Sequence, residues 1–266
     1  MKVVLIGTGN VATHLGSAIA DADYSVVQVY GRTEDNAKQL AGKLHTTYTS
    51  NLSAITSDAD IYLFAVKDDC IEELARKVKE ALDNQNTLST PTFIHTSGST
   101  SIDCLKFSTD NCGVIYPLQT FSKARKVDFH RVPLFVEGSN QETEDIIMKL
   151  AWTISDRVVK MDSQQRRMMH LAAVWACNFV NHCYNVADGI MQQCNLPFEL
   201  LLPLIDETAA KVHDLTPREA QTGPAVRYDK RIIDLHLNLL KEQPQLADIY
   251  ERLSRGIRDL AQLENQ

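Results

Sequence analysis

The sequence predicts an α/β protein in which a doubly wound, mostly parallel sheet is followed by an all-helical C-terminal region. Two observations support this fold class. Short apolar runs typical of buried strands alternate with amphipathic helical patterns through the first 160 residues or so. From Asp162 onward the β-branched runs disappear, and almost every segment up to Gln266 has helical periodicity. We therefore expect two domains, residues 1–161 and residues 162–266.

The first strand and helix surround a glycine motif. An apolar strand at the start of the chain runs directly into Gly7-Thr8-Gly9-Asn10-Val11-Ala12 and then into a helical pattern. This is the G-x-G-x-x-A spacing of dinucleotide-binding turns. Gly7 allows a sharp turn, Gly9 has no Cβ to block a pyrophosphate, and Ala12 lets the helix pack close to the sheet. We predict a dinucleotide site at the helix N-terminus, with contacts from Gly7, Gly9, Asn10 and Val11.

The second strand ends in Gly31-Arg32-Thr33, at the distance where NAD-specific sites place an Asp or Glu on the ribose 2′-hydroxyl. No acid stands there. Arg32 can instead grip a 2′-phosphate through two parallel charge-assisted hydrogen bonds, and Thr33 adds a hydroxyl. The alternative is that Arg32 is an ordinary solvated residue at the start of a helix. We predict NADP(H) as the cofactor in preference to NAD(H).

The other elements of the first domain continue the same alternation. We expect strands near 2–6, 26–30, 61–66, 92–95, 113–116, 133–137 and 157–160, and helices near 10–22, 34–44, 69–82 and 140–152. Ligands of open α/β sheets lie at the carboxyl ends of the strands, so residues directly after each strand are candidate site residues. Val66 and Lys67 would lie beside the ribose and nicotinamide. Asp68 and Asp69 are better explained as caps of the next helix than as catalytic groups.

Two further strand ends carry polar groups. In His95-Thr96-Ser97-Gly98-Ser99, Gly98 permits close backbone approach, and Ser97 offers a hydroxyl to a substrate or to the nicotinamide amide. In the segment 116–121 a proline ends a strand and leaves Gln119 and Thr120 facing the same crevice. An ordinary proline-terminated loop is the alternative for this second segment.

A long helix opens the second domain. Asp162 and Gln165 have the spacing of a capping box, and the helical pattern runs to about Cys194, where Asn195-Leu196-Pro197 stops it. A helix of this length could cross between the domains and supply a dimer surface.

Polar residues interrupt the apolar sequence of this helix at His170, Asn178, Asn181 and His182. At about 100° per residue, Asn181 lies within about 40° of His170, and Asn178 about 80° from it. A single polar group of this kind is usually a core residue satisfied by a backbone carbonyl, but four fit the wall of a cleft better. We predict that His170 donates a proton to a reduced carbonyl or imine and that Asn178 orients the substrate.

Later helices fit about 198–213, 225–241 and 246–263. Thr222 and Pro224 suggest a cap and a first-turn proline for the second of these. Arg227 could bind a substrate carboxylate or phosphate through two hydrogen bonds, and a surface ion pair with Asp229 explains it equally well. Asp229 and His236 are seven residues apart, nearly on one helical stripe, and the candidate catalytic residues therefore include Arg227, Asp229 and His236.

Composition excludes several classes of protein. Lys and Arg number 27 against 34 Asp and Glu, and the net charge of −7 argues against nucleic acid or an anionic membrane as the main partner. The six cysteines form no C-x-x-C pair and no zinc spacing, so we expect reduced thiols and no metal site. The chain begins directly with a core strand, and its longest apolar run, residues 171–177, is too short to span a bilayer. We expect a cytoplasmic protein without a signal peptide.

Together these segments resemble the Rossmann-type oxidoreductases that carry a C-terminal helical domain of unknown function. The resemblance covers essentially the whole chain and rests on the segments 7–12, 66–68, 95–98, 117–121 and 170–173 with Asn178, and 222–224 with Arg227, Asp229 and His236. The first domain is also similar to pyrroline-5-carboxylate reductase, the deazaflavin-dependent NADP reductases and the β-hydroxyacid dehydrogenases. The resemblance implies NADP(H) binding and a homodimer built through the helical domain. β-Hydroxyacid dehydrogenases place a catalytic Lys on the interdomain helix, whereas this helix has His170 and no Lys after Lys160, which argues against hydroxyacid chemistry.

We therefore expect an NADP(H)-dependent oxidoreductase that moves hydride to or from a small carbonyl, imine or hydroxy compound between the domains. The nicotinamide would supply the chemistry and the protein the orientation. A sensor or regulatory protein that binds NADP(H) without turnover is the alternative, because fold alone does not determine function.

Overall fold

The structure is a computed structural model that describes residues 1–22, 24–85 and 90–262. The chain divides into two compact units, Met1–Cys183 and Tyr184–Gln266. Within the described residues, the strands all belong to the first unit.

The first unit contains an eight-stranded sheet, counted over the described residues. Its strands are β1 (Lys2–Ile6), β2 (Ser25–Tyr30), β3 (Thr47–Thr49), β4 (Ile61–Phe64), β5 (Thr92–His95), β6 (Cys112–Pro117), β7 (Leu134–Gly138) and β8 (Val158–Lys160). The helices beside it are α1 (Asn10–Ala20), α2 (Glu34–Lys43), α3 (Ile71–Asp83), α4 (Asp103–Lys106) and α5 (Gln141–Ile154). The order is β3-β2-β1-β4-β5-β6-β7-β8, with β6 and β7 antiparallel and the other neighbours parallel. The predicted doubly wound, mostly parallel sheet is confirmed.

Both faces of the sheet are covered, because successive side chains of a strand point to opposite sides. Val3 and Leu5 of β1 belong to the apolar cluster that includes residues of α1 and α5. Val4 and Ile6 belong to the opposite cluster, with residues of α3 and α4. All four side chains are fully buried. The near-continuous apolar sequence of β1 follows from this burial on both faces.

The topology determines where a ligand can bind. From β1 the chain builds outward to β2 and β3 and then returns to β4 on the other side of β1. The carboxyl ends of β1 and β4 therefore flank the topological switch point, the usual ligand position in such sheets.

The predicted elements of this unit differ from the observed ones mainly at their ends. The predicted strand 61–66 ends at Phe64, and the predicted helix 10–22 ends at Ala20. β3 was not expected, because a three-residue edge strand that is largely exposed carries almost no alternating pattern.

The long helix has three parts, α6 (Ser163–Ala173), a π-helical segment (Val174–Phe179) and α7 (Val180–Gln193). The capping box is confirmed, since the Gln165 N–H donates to Asp162 Oδ1 at 2.8 Å and the Asp162 N–H to Gln165 Oε1 at 3.2 Å. The predicted stop is also found, with Asn195 in the left-handed region at φ 54°. The angular positions expected beyond Val174 do not hold, because a π-helix closes i to i+5 bonds and turns less per residue.

The second unit contains most of α7, α8 (Leu202–Asp214), α9 (Lys230–Leu239) and α10 (Pro244–Gln262). The predicted start of the helix near 225 is wrong. Tyr228 has φ 50°, which interrupts a helix, and the Asp229 carboxylate caps α9 by accepting the Ile232 N–H at 3.3 Å. Thr222 and Pro224 therefore do not open this helix. Leu263, the last residue of the predicted helix 246–263, lies outside the described residues.

The predicted domain boundary between residues 161 and 162 lies where the strands end, because β8 closes at Lys160 and α6 begins at Ser163. The two compact units divide later, between Cys183 and Tyr184, and the boundary at 161 stays a prediction. Across the described part of the chain, none of the helices combines the length and apolarity required to cross a bilayer.

Candidate active site

A cavity of ≈ 950 Å³ opens at the carboxyl ends of β1, β2 and β4. Its lining comes from the turn after β1, the end of β2, the segment after β4 and the first turns of α3, and it reaches Thr96 after β5. The predicted residues in this lining are Gly7, Gly9, Asn10, Val11, Arg32, Val66 and Lys67. The cavity is large enough for a cofactor or drug-sized ligand.

The two glycines of the turn have different surroundings. Gly7 has φ +122°, and a Cβ there would lie 2.2 Å from the Ala65 carbonyl oxygen, so the fold itself requires glycine. Gly9 has φ −76° and ψ −171°, which other residues adopt readily, and a Cβ there would meet nothing within 4 Å. No contact with the described part of the chain accounts for the missing side chain at Gly9. The open space above it fits a pyrophosphate approaching the first N–H groups of α1.

Three cations line the cavity. Arg32 and Lys67 are exposed, and neither has an ion pair among the described residues. Lys77 of α3 lies 2.6 Å from Glu73, one turn earlier on the same helix. Thr33 is the N-cap of α2 and is absent from the lining, whereas Asn36 is present. A contact of Thr33 with a 2′-phosphate therefore stays a prediction.

The turn after β1 also holds a neighbouring loop. The Asn10 side-chain amide donates to the Phe121 carbonyl at 2.8 Å, and the His14 ring stacks on the Phe121 ring at 5.1 Å. His14 Nε2 lies 3.0 Å from the Ser122 carbonyl oxygen. These contacts bring the segment after Pro117 to the edge of the cavity, while Gln119 and Thr120 are exposed.

His170, Tyr116 and Gly98 form a contact cluster next to the cavity. The Tyr116 hydroxyl and His170 Nδ1 are 3.1 Å apart, and their rings meet edge to face at 5.9 Å. A Cβ on Gly98 would lie 2.7 Å from Tyr116 Cζ and 2.8 Å from His170 Nδ1, so only glycine allows this approach. Because Gly98 follows Thr96 by two residues, the cluster adjoins the end of the cavity.

Burial raises the pKa of Tyr116, and the negative charge of Asp68 acts in the same direction. Tyr116 is therefore protonated at neutral pH. The Tyr116 hydroxyl can hold the His170 ring in one orientation through Nδ1. The other ring nitrogen, Nε2, makes no hydrogen bond with the described residues, and the ring is only half-buried.

Ser97 is occupied by the loop that contains it. Its Oγ accepts the N–H groups of Ser99 at 3.1 Å and Thr100 at 3.0 Å, and its hydroxyl donates to Thr100 Oγ1 at 3.0 Å. These bonds close a tight turn after β5. The predicted substrate contact of Ser97 remains a prediction, and its observed role is to shape the loop beneath His170.

Asp68 and Asp69 precede α3 as predicted, within a 3₁₀ turn, but neither side chain caps the helix. Asp68 accepts a hydrogen bond from the Ser99 hydroxyl instead, and Asp69 accepts from the Cys70 thiol at 3.3 Å. That bond to Asp69 is the main reason the pKa of the Cys70 thiol is raised, so Cys70 is not an activated nucleophile.

His95 is fully buried at the end of β5, and its Nδ1 accepts the Ser97 N–H at 3.1 Å. Burial, followed by the nearby charge of Arg166, lowers the pKa of His95 to about 3. The ring is therefore neutral and supports the loop without taking part in proton transfer at neutral pH.

Four predicted residues remain, Asn178, Arg227, Asp229 and His236. Asn178 is exposed within the π-helical segment. In the second unit, Arg227 is exposed, Asp229 caps α9, and His236 Nδ1 lies 2.8 Å from the Tyr250 hydroxyl. Their catalytic roles stay predictions. Over the described residues no group of His, Cys, Asp and Glu side chains is placed to hold a metal ion, and the six cysteines are all free.

Two neighbours of His170 do not follow from the sequence pattern. Tyr116 belongs to the segment in which a proline ends a strand, and Arg166, which is fully buried, has no local motif. The available signal for Arg166 was its position one helical turn before His170, on the same face of the helix.

Comparison with known families divides the chain into two matches. Residues 2–90 match the family model described as NADP oxidoreductase, coenzyme F420-dependent. Residues 132–257 match a domain of unknown function, DUF2520. No curated protein matches the chain significantly.

Several solved structures are similar over nearly the full length. A protein from Bacteroides fragilis described as an NADP oxidoreductase is 43% identical, with 97% of this chain and 98% of that chain covered and a TM-score of 0.90. An imine reductase from Myxococcus stipitatus in complex with NADP⁺ has a TM-score of 0.70 at 16% identity, covering 99% and 95%. A pyrroline-5-carboxylate reductase from Coxiella burnetii has a TM-score of 0.57 at 14% identity, covering 98% and 97%. The last two likenesses concern the fold alone.

Proposed function

The chain belongs to the family of the Bacteroides fragilis NADP oxidoreductase, and from this premise we propose that it transfers hydride between NADP(H) and a small carbonyl or imine compound. The cofactor is NADP(H). The reductases that share its fold act on C=N bonds or are seen with NADP⁺, and they suggest the imine as the first substrate class to test.

One observation carries this proposal: Gly9, in the lining of the cavity, has no side chain although a Cβ there would meet none of the described residues within 4 Å. A ligand that comes close to the backbone explains the glycine, and the surrounding turn presents the helix N-terminus to it. Gly7 and Gly9, with the first N–H groups of α1, would hold the pyrophosphate. Val66 and Lys67 would border the ribose and the nicotinamide.

Arg32 is the proposed partner of the 2′-phosphate. It stands at the end of β2, lines the cavity, and has no carboxylate partner among the described residues. A planar guanidinium can bind two phosphate oxygens at once.

His170 is the proposed proton donor or acceptor. When bound, the nicotinamide supplies or accepts the hydride. In its protonated form His170 donates Nδ1–H to the Tyr116 oxygen and keeps Nε2–H for the substrate heteroatom. Tyr116 stays protonated because burial raises its pKa, so it fixes the ring without competing for the proton.

The cofactor assignment is tested by exchanging the charge at residue 32. We expect Arg32→Asp to weaken NADPH binding more than tenfold, since charged hydrogen bonds contribute about 1.5–3 kcal/mol each, and to favour NADH. Calorimetry with both coenzymes measures the change. Lys38→Asp is the control, because Lys38 is exposed on α2 and does not line the cavity. An unchanged NADPH to NADH affinity ratio in Arg32→Asp would overturn the assignment.

The reaction is tested by mixing the protein with NADPH and pools of small ketones, keto acids and cyclic imines, and following the absorbance of NADPH. We expect His170→Ala to lower turnover by about 10² to 10⁴ while NADPH affinity is kept. His213→Ala, at an exposed histidine of α8, is the control. Full activity of His170→Ala would remove His170 from the reaction. Tight NADPH binding with no reduction by the wild type would favour the sensor alternative.

We also propose that the active form is a homodimer joined through its helices. Within the described residues, the second unit buries only Ala225, and α8, α9 and α10 bury none of their side chains. On α10 an apolar stripe at helical spacing stays open, with Ile249 41%, Leu253 45% and Leu260 59% exposed. An apolar helix face of this kind needs a partner surface.

The partner we favour is a second copy of this chain. Obligate homodimer interfaces bury roughly 2,000–5,000 Å² or more and are more apolar than transient ones, which suits the open apolar stripe of α10. The expected cytoplasmic location stays a prediction.

A further inference from the structure

A buried arginine lies directly behind the proposed proton donor. Arg166 is one turn before His170 on α6 and has no exposed surface. Its guanidinium donates four hydrogen bonds to the described residues: Nε donates to the Ser97 carbonyl at 3.2 Å, Nη2 to the Thr100 carbonyl at 2.6 Å and to Ser163 Oγ at 3.1 Å, and Nη1 to Glu137.

Glu137 completes the arrangement from the sheet. Glu137 of β7 is opposite Val114 of β6, and Val114 is opposite His95 of β5. The side chains of these three residues therefore lie on the same face of the sheet. The Glu137 carboxylate also accepts the Ser163 N–H at 3.0 Å and the Ser163 hydroxyl at 2.7 Å. Ser163 Oγ in turn accepts the Ile102 N–H at 3.1 Å. The start of α6, the loop after β5 and the sheet are therefore tied at one point.

The same loop carries the surface against which His170 rests. Gly98 lies between the two carbonyl groups that Arg166 holds, at Ser97 and Thr100, and it is in close contact with the His170 ring. We propose that Arg166, through its ion pair with Glu137, is a positioning residue that sets the distance from His170 to Gly98 and Tyr116. This inference rests on the proposed function of His170.

Stability alone is a weak explanation for this ion pair. The free energy lost in removing two charges from water is about as large as the free energy gained from their attraction. Replacing a buried ion pair by apolar residues is therefore often neutral or stabilising. What an apolar pair cannot do is hold two loop carbonyls at fixed angles to a helix. Arginine suits that task because its donors form a rigid planar fork, whereas the single ammonium of lysine cannot reach four acceptors.

The test compares Arg166→Met and Arg166→Lys with the wild type by ¹⁵N NMR of histidine-labelled full-length protein. The His170 ring signals are assigned from His170→Ala, and Tyr116→Phe gives the signals of a ring that has lost its Nδ1 contact. We expect the ¹⁵N chemical shifts of the His170 ring in Arg166→Met to move toward those in Tyr116→Phe. The shifts in Arg166→Lys should lie between those of the wild type and those of Arg166→Met. Arg167→Met, at the exposed next residue, should leave the spectrum unchanged.

Kinetics give the second readout. We expect kcat to fall about tenfold to a hundredfold in Arg166→Met, because small displacements of a catalytic group have effects of this size. NADPH affinity should stay within twofold. Arg166→Met leaves the largely buried Glu137 carboxylate without its positively charged partner. The double variant Arg166→Met/Glu137→Gln is therefore measured if the single variant does not fold.

Wild-type His170 signals in both the single and the double variant would overturn the proposal. Loss of NADPH binding together with kcat would also overturn it, because that pattern indicates general disruption of the fold. If the wild type reduces no compound, the NMR comparison still decides whether Arg166 positions His170, so failure of the proposed function is recognised separately.

Discussion

His95 makes the stability of the protein depend on pH through a single buried ring. Its folded pKa is about 3 against an ordinary 6.5, so between these values the unfolded chain binds a proton that the folded chain does not. Below about pH 6.5 this group lowers the free energy of unfolding by up to about 1.4 kcal/mol per pH unit, and the loss continues down to its folded pKa.

We expect His95→Asn to remove that contribution while its amide oxygen still accepts the Ser97 N–H. Urea unfolding at several pH values between 3.5 and 7 should show a shallower pH slope for this variant. His213→Gln, at an exposed histidine of α8, should keep the wild-type slope. Equal slopes for His95→Asn and the wild type would contradict the assignment.

Single residues of the site were predictable where the motif explains them locally. Gly7, Gly9, Arg32 and Lys67 are close to strand ends in the sequence, and the structure places all four in one cavity. Tyr116 and Arg166 were not predictable in the same way. Their importance comes from contacts over distances of 54 and 69 residues along the chain, with His170 and Ser97, which no local pattern reports.

At the scale of elements, the two glycines of the turn between β1 and α1 have different roles, because Gly7 is required by the fold and Gly9 by the proposed binding site. A side chain at Gly7 would strike the Ala65 carbonyl and would need a left-handed backbone. We expect Gly7→Ala to cost more than about 2 kcal/mol of stability. At Gly9 nothing would be struck, so Gly9→Ala should cost less than about 1 kcal/mol, mainly as a poorer helix cap.

Coenzyme titration of the two glycine variants completes the test. Gly9→Ala should fold normally and yet bind NADPH more than tenfold more weakly, because its methyl group occupies the space of the pyrophosphate. Thermal unfolding of Gly7→Ala and Gly9→Ala measures the contrast in stability. Normal NADPH binding by a well-folded Gly9→Ala would contradict the proposed pyrophosphate site.

Elements with a clear apolar or amphipathic pattern were predicted well, and elements set by irregular backbone geometry were not. Strands β1 and β5 match their predicted bounds, since nearly all of their side chains are buried. The start of α9 was misplaced because a cap at Asp229 and a left-handed Tyr228 follow from backbone geometry. The π-helical segment was not foreseen, since helical spacing alone cannot show where one extra residue enters a turn.

At the scale of the whole molecule, the helical surface predicts the oligomeric state. We expect light scattering to give about twice the 29.8 kDa chain mass at micromolar concentration. Leu253→Glu, which places a charge on the exposed stripe of α10, should yield monomer or unfolded protein. Gln245→Glu adds the same charge at an exposed polar position of that helix and should leave the mass unchanged. A wild-type mass of one chain would refute the dimer.

The attachment of α6 at Glu137 has one more consequence. Ser163 and Arg166 hold the start of the helix in place. The direction in which His170 projects from the helix axis is therefore set by the number of residues between it and Arg166. One alanine inserted between Arg166 and His170 would rotate the imidazole by about 100° around the helix axis and advance it by about 1.5 Å. The number of residues between the anchor and His170 therefore sets where the imidazole points, and we expect changes of length to be tolerated before Ser163 or after His170 but not between them.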